Sequence, residues 1–199
     1  SAPRLVPADG GPSLPVWSSA AYQGVVRHAI VEWKRRGRAE LDWEMTRAVM
    51  RTAEHAAPAL SRVIGHLVAG QLMVVPIPSR FLSQVRRASA GPPELAQAVA
   101  QALTGTGLPA AVAPVLTRRL GAIDQAGLGL QQRAANREQA TRVTTPPGPP
   151  GTPVLLVDDV LTTGATLLDA ERSLAAHGCH TLGAIVLAAT PAPGRTTPC

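Results

Sequence analysis

Two adjacent carboxylates, Asp158 and Asp159, follow the apolar run Val154, Leu155, Leu156, Val157 and precede, after Val160 and Leu161, the stretch Thr162, Thr163, Gly164, Ala165, Thr166. The apolar run has the length and composition of a buried strand. Acids delivered to the end of such a strand are costly without a partner. Leu167, Leu168, Leu174 and Ala175 then recur at helical spacing. A turn that feeds a helix presents unpaired backbone N–H groups and the positive end of the helix dipole, which suits a phosphate. Carboxylates, in contrast, accept from hydroxyls. A ribose 5-phosphate carries both groups: its 2- and 3-hydroxyls suit the acids and its phosphate suits the loop.

An apolar strand ending in Asp-Asp also occurs in nucleotide triphosphatases. Those need a companion Gly-x-x-x-x-Gly-Lys-Ser/Thr loop. Lys34 is the only lysine in the chain, and no such glycine pattern precedes it. That chemistry is excluded.

The elements that position these groups follow from periodicity. Residues 1–19, rich in Pro, Gly and Ala, are expected to be an irregular lead-in. Tyr22, Val25, Val26, Ala29, Ile30 and Trp33 then recur at i, i+3, i+4, with Arg27, Glu32 and Lys34 outward, which predicts a helix ending near Gly37. A second helix carries Leu41, Met45, Ala48, Val49 and Thr52. A third starts near Pro58 with Leu60, Val63, Ile64, Leu67 and Val68 inward. Strands are predicted at Leu72–Val75, Ala111–Leu116, Val154–Val157 and Leu182–Ala188, with helices opened by Pro92-Pro93 and following Thr166. Residues 144–153 are too rich in Pro and Gly to be regular. Strands alternating with helices predict an α/β fold with a parallel sheet, right-handed crossovers and helices on both faces.

At 199 residues and 45% hydrophobic, the chain can bury a single core, or a core with a small appendage. Aromatics are only 3%, so Ala, Val and Leu must fill it. No apolar run approaches the ~18 residues of a membrane span, and no secretory leader is visible. Cys179 and Cys199 provide neither a disulfide framework nor a metal cluster. A cytoplasmic setting is expected. The five histidines lack metal spacing. The net charge of +6 is almost entirely arginine. Between Val75 and Ala140 there are seven arginines against three acids. Such a surface suits a polyphosphate substrate or nucleic acid, and a solvated arginine-rich surface accounts equally well for any single one.

The span from Val154 to Thr166 resembles the binding motif of type I phosphoribosyltransferases, which use 5-phosphoribosyl 1-pyrophosphate (PRPP) as donor. Within that superfamily the chain looks most like the competence protein F (ComF) family, over roughly Tyr22 to Ala188. Tyr22, Gly24, Arg27, Lys34 and Gly37 resemble its N-terminal Tyr-x-Gly … Lys-x-x-Gly segment. Val75-Pro76-Ile77-Pro78 resembles its Val-Pro-x-Pro strand end. Arg118, Arg119, Gln125, Leu128, Arg133 and Asn136 resemble its Gln-x-x-Leu … Arg-x-x-Asn loop. Two departures stand out. The paired Cys-x-x-Cys sequences that would hold zinc are missing, so no zinc is expected unless a longer parent carried them. Arg87-Ala88-Ser89-Ala90-Gly91-Pro92-Pro93 replaces the family's Arg-Gly-Phe-Asn-Gln stretch, which leaves the acceptor side undefined.

The resemblance implies a lead-in over 1–19, a helical cap or hood over 20–70, a catalytic core over 71–190 with a flexible loop over 117–142, and a frayed tail over 191–199. It implies PRPP contacts from Val160, Thr162, Thr163, Gly164, Ala165 and Thr166, and pyrophosphate contacts from the turn Ile77, Pro78, Ser79 and Arg80. Asp158 and Asp159 would bind the ribose hydroxyls and oppose the cationic character of the transition state. Arg118 and Arg119 would neutralise the leaving group, with Gln125, Arg133 and Asn136 on the flexible loop. Mg²⁺ would arrive with PRPP, with no direct protein ligand. Lys34 is read as a surface lysine whose stem lies on the first helix. The implied partners are PRPP and a small nitrogen acceptor, with nucleic acid secondary, no membrane, and a homodimer as the superfamily's common assembly. The competing reading is a PRPP- or nucleotide-binding protein without turnover, or a single-stranded-DNA binder serving DNA uptake.

Overall fold

The computed structural model describes residues 4–5, 13–36, 39–65, 71–78, 91–118 and 141–191. The strands are β1 (Arg4–Leu5), β2 (Leu14–Ala21), β3 (Leu72–Pro76), β4 (Ala110–Val112), β5 (Leu116–Arg118), β6 (Thr141–Val143), β7 (Pro153–Leu161) and β8 (His180–Ala189). The helices are α1 (Gly24–Arg36), α2 (Ala39–Ile64), α3 (Pro92–Gly105) and α4 (Ala165–Ala175). Six strands form one sheet in the order β1-β2-β8-β7-β3-β4, parallel except for β1. The expected α/β fold with a parallel sheet is therefore observed. β5 and β6 form a separate antiparallel ribbon.

The central strands alternate between two apolar clusters. Leu155 and Val157 face α1, α2 and α3, together with Ile185, Leu187 and Val74. Val154 and Leu156 face α4 and the ribbon, together with Val75, Ile77, Leu116, Val143, Leu167 and Leu174. This is the pattern of strands buried on both faces, which read as continuous apolar runs rather than as alternating ones. Complete burial of each such Leu or Ile stabilises the fold by roughly 1.5–3 kcal/mol.

Several expectations are corrected. The lead-in is not irregular throughout: from Leu14 it is a strand, with Leu14 and Val16 buried, in parallel register with β8. Its short alternation is masked by Pro15 and the small residues Ser18 to Ala21. The second and third helices are one. The stripe Met45, Val49, Ala53, Ala56, Ala57, Leu60 runs unbroken past Pro58, whose ring faces solvent. Val25, expected inward, is exposed. The strand expected over Ala111–Leu116 divides at residues 113–115, where Pro114 has no N–H for the ladder; the chain then leaves the sheet to make the ribbon. β7 does not stop at Val157 but continues to Leu161, because Asp158, Val160 and Leu161 pair with Val186, Ala188 and Ala189.

Candidate active site

Two strands deliver backbone to one place at the carboxyl edge of the sheet, the position where open α/β sheets bind ligands. β3 ends with the Ile77 amide donating to the Val157 carbonyl at 2.8 Å, so Ile77 and Pro78 lie beside the start of the acidic doublet. Beyond Leu161, whose carbonyl accepts from the Thr190 amide at 2.8 Å, only Thr162, Thr163 and Gly164 separate β7 from α4. Gly164 takes φ +78°, a conformation that a Cβ disfavours. Thr162, Thr163, Ala165 and Thr166 are exposed around it. The first turn of α4 leaves its N–H groups without intrahelical acceptors, directed at the same rim.

The two carboxylates differ in their partners. Asp158 accepts from the amide of Asp159 through Oδ1 at 2.8 Å. Asp159, buried, accepts through Oδ2 from Lys34 Nζ at 2.6 Å. Each therefore keeps a second oxygen with no protein partner among the described residues. Burial, and then the charge of Asp159, push the Asp158 carboxyl up to about 7, against the smaller opposing effects of the Asp159 amide and Lys34. Asp158 is thus partly protonated near neutral pH, as happens when a buried carboxyl lies beside a like charge.

Lys34 is the residue that sequence reasoning placed wrongly. It does not merely decorate the surface; α1 carries its ammonium onto the acidic pair. Two contacts fix α1 for this task. Trp33 is fully buried, and its indole N–H donates to Asp42 Oδ1 of α2 at 2.6 Å. The available signal was compositional: a single lysine in a chain otherwise supplied with arginine.

A second polar group lies on the other face. Asp169 of α4 is buried, and its Oδ2 accepts from the Thr141 amide at 2.7 Å. Burial raises its pKa, opposed by hydrogen bonds from the Thr141 hydroxyl and amide and by Arg172 and Arg118. Ser173 donates to the Thr141 carbonyl at 3.0 Å. Arg118, half-buried in β5, stands across from Thr141 in the ribbon. The structure thus brings together Asp158, Asp159, Val160, Thr162 to Thr166, Ile77 and Pro78, and sets Arg118 beside Asp169. Ser79, Arg80, Arg119, Gln125, Arg133 and Asn136 lie outside the described residues. No helix among the described residues is long and apolar enough to cross a membrane.

Comparison with known proteins adds an independent line. The family model for the phosphoribosyl transferase domain matches residues 48–196. No curated protein matches in sequence. Among solved structures, adenine phosphoribosyltransferase from Saccharomyces cerevisiae is 14% identical with a TM-score of 0.38, covering 70% of this chain and 68% of its own. Hypoxanthine phosphoribosyltransferase from Staphylococcus aureus is 13% identical, TM-score 0.38, covering 72% and 64%. Orotate phosphoribosyltransferase from Aeropyrum pernix is 16% identical, TM-score 0.35, covering 94% and 74%. These similarities are too distant to transfer a substrate or a residue's role.

Proposed function

We propose, from the premise that this chain belongs to the phosphoribosyl transferase domain family, that it binds PRPP with Mg²⁺ and transfers the 5-phosphoribosyl group to a small nitrogen acceptor. One observation carries the reading. Two carboxylates, each with an oxygen that has no partner among the described residues, stand before a five-residue stretch, Val160 to Gly164, that leads to a helix start held open by a left-handed glycine. The spare oxygens number two, as do the ribose 2- and 3-hydroxyls they would accept from.

In this reading the first-turn amides of α4, with the Thr162 and Thr166 hydroxyls, hold the 5-phosphate. Asp158 and Asp159 orient the ribose and set negative potential near C1 as the bond to pyrophosphate breaks and positive charge develops. Lys34 holds Asp159 in place for that role. Mg²⁺ carried by PRPP would offset charge on the leaving pyrophosphate, with Ile77, Pro78, Ser79, Arg80, Arg118 and Arg119 as the residues proposed to face it. Of the loop expected over 117–142, residues 117–118 and 141–142 are strands of the ribbon, and 119–140 lie outside the described residues. The ComF-like markers, and with them a link to DNA uptake and a cytoplasmic setting, belong to the same proposal; Lys34 on Asp159 gives one of those markers a physical task.

The test is pyrophosphate release from Mg–PRPP across a panel of nucleobases and amines. Release with one acceptor, lost in Asp159→Ala, supports transfer. A flat panel despite tight PRPP binding would replace the enzyme with a non-catalytic PRPP-binding protein. Binding of single-stranded DNA that weakens steeply with salt, with no PRPP affinity, would favour the nucleic-acid reading.

A further inference from the structure

We propose that Asp169 is a positioning residue that ties the phosphate-gripping helix to the root of the arginine-bearing ribbon. Affinity for the pyrophosphate half of PRPP then depends on a side chain that touches no ligand. The inference rests on the PRPP reading of the site.

The argument begins with Thr141. Both of its backbone polar groups are held by side chains of α4 rather than by a strand: the amide by Asp169 at 2.7 Å and the carbonyl by Ser173 at 3.0 Å. Asp169 and Ser173 are four apart, one helical turn, so they present together on one side of α4. The same helix begins at Gly164, where the phosphate is held. Asp169 lies about 7 Å along the axis from that start, by the rise of an α-helix. Thr141 in turn stands opposite Arg118 in the β5–β6 register, so one clamp fixes both roots of the segment between them.

Packing alone does not explain the choice of residue. Leu167, Ala170 and Leu174 already bury the neighbouring positions of α4. A buried carboxylate is an expensive way to fill space, since it must be desolvated and fully partnered. What it uniquely supplies is an acceptor for the Thr141 amide together with negative charge near Arg118. Both act on the ribbon. Arg118 is the described member of the arginine pair assigned to the leaving group, so its placement bears on pyrophosphate and not on ribose.

Titration calorimetry with two ligands separates the halves of the substrate. Asp169→Ala should weaken Mg–PRPP binding about tenfold, a usual size for coupling between sites, while ribose 5-phosphate binding stays within about twofold. Asp169→Asn, which keeps an acceptor oxygen for Thr141 but not the charge near Arg118, should recover part of the loss. Ser173→Ala should show the same ligand selectivity at smaller size, and serves if Asp169→Ala does not fold. Amide exchange in the ligand-free protein checks the clamp independently: Thr141 should exchange faster in Asp169→Ala, with Leu174 unchanged. Equal weakening of both ligands, no weakening, or an unaffected Thr141 amide would each overturn the proposal. A wild-type protein that binds neither ligand would instead bring down the PRPP reading, and the positioning role with it.

Discussion

The two faces of the sheet hold the end of β7 with different chemistry. On the α1–α2 face, a large apolar cluster carries one ion pair at its margin, Lys34 to Asp159, with the lysine side chain 25% exposed. On the α4 face, a smaller apolar cluster is completed by a buried hydrogen-bonded group, Asp169 with Thr141 and Ser173. A partly solvated ion pair can exchange partners when a ligand arrives, because water and salt already weaken it. A buried carboxylate that holds a buried amide cannot, since breaking that bond strands a charge or a donor. One face is built to adjust and the other to stay fixed.

The harshest way to break this contrast is to remove the site that the two faces share. Ligand at about 100 times its dissociation constant contributes about 2.7 kcal/mol of stability, which in a chain of this size is roughly 5–10 °C in Tm. Mg–PRPP should raise the wild-type Tm by that order, and Asp159→Ala and Gly164→Val should abolish the shift. Equal shifts in all three proteins would show that the ligand sits elsewhere.

Lys34→Met attacks only the adjustable face. PRPP affinity should fall about tenfold, about 1.4 kcal/mol, the order for a hydrogen bond to a charged group, and Lys34→Arg should restore part of it. Calorimetry in low and high salt sharpens the point: the wild-type advantage over Lys34→Met should shrink as salt rises.

A smaller effect appears in the ligand-free protein as a pH dependence. The Asp158 carboxyl is raised from 3.8 to about 7 on folding. A raised folded pKa means that the native state binds the proton more tightly. The resulting stability is therefore fully present below about pH 4 and is lost as pH rises through about 7. Tm measured across that window should decline through this group, and Asp158→Asn should flatten the decline. Ligand binding should run the opposite way, improving with pH as the ionised acceptor appears.

The smallest expected change concerns the support of Lys34. Asp42→Ala leaves the buried Trp33 indole N–H without its acceptor and should cost about 1–2 kcal/mol of stability by chemical denaturation. PRPP affinity should move by less than it does in Lys34→Met, because the ammonium itself remains.

The contrast between the faces also explains what could be read before folding. The doublet and its loop are contiguous, so the strand, the turn and the left-handed glycine are all legible in Val154 to Thr166. The fold class follows from the same local signals, repeated at β3, α3 and β8. Long-range pairings are not local. Lys34 lies on the polar side of a helix pattern, and nothing in that pattern reveals that α1 crosses the end of β7. Asp169 reads as one more polar residue until β6 is brought to its helix. Pro58 suggested a boundary because the local rule against proline in helices is strong; the apolar stripe on both sides overrode it. β2 was missed because its support is supplied by β8, where Gly183 leaves room that a Cβ would close to 2.6 Å from the Trp17 ring.

That pairing of β2 with β8 has a consequence for dissecting the molecule. β8 is an interior strand only because β2 covers it. A fragment beginning at α2 would bare the apolar edge of β8 from Ala184 to Ala189, now paired with Val16 to Ala21, as an open template for other chains. It would also discard the ammonium that meets Asp159. Such a piece should self-associate for want of β2 and lose the proposed sugar binding for want of α1, two failures from one cut.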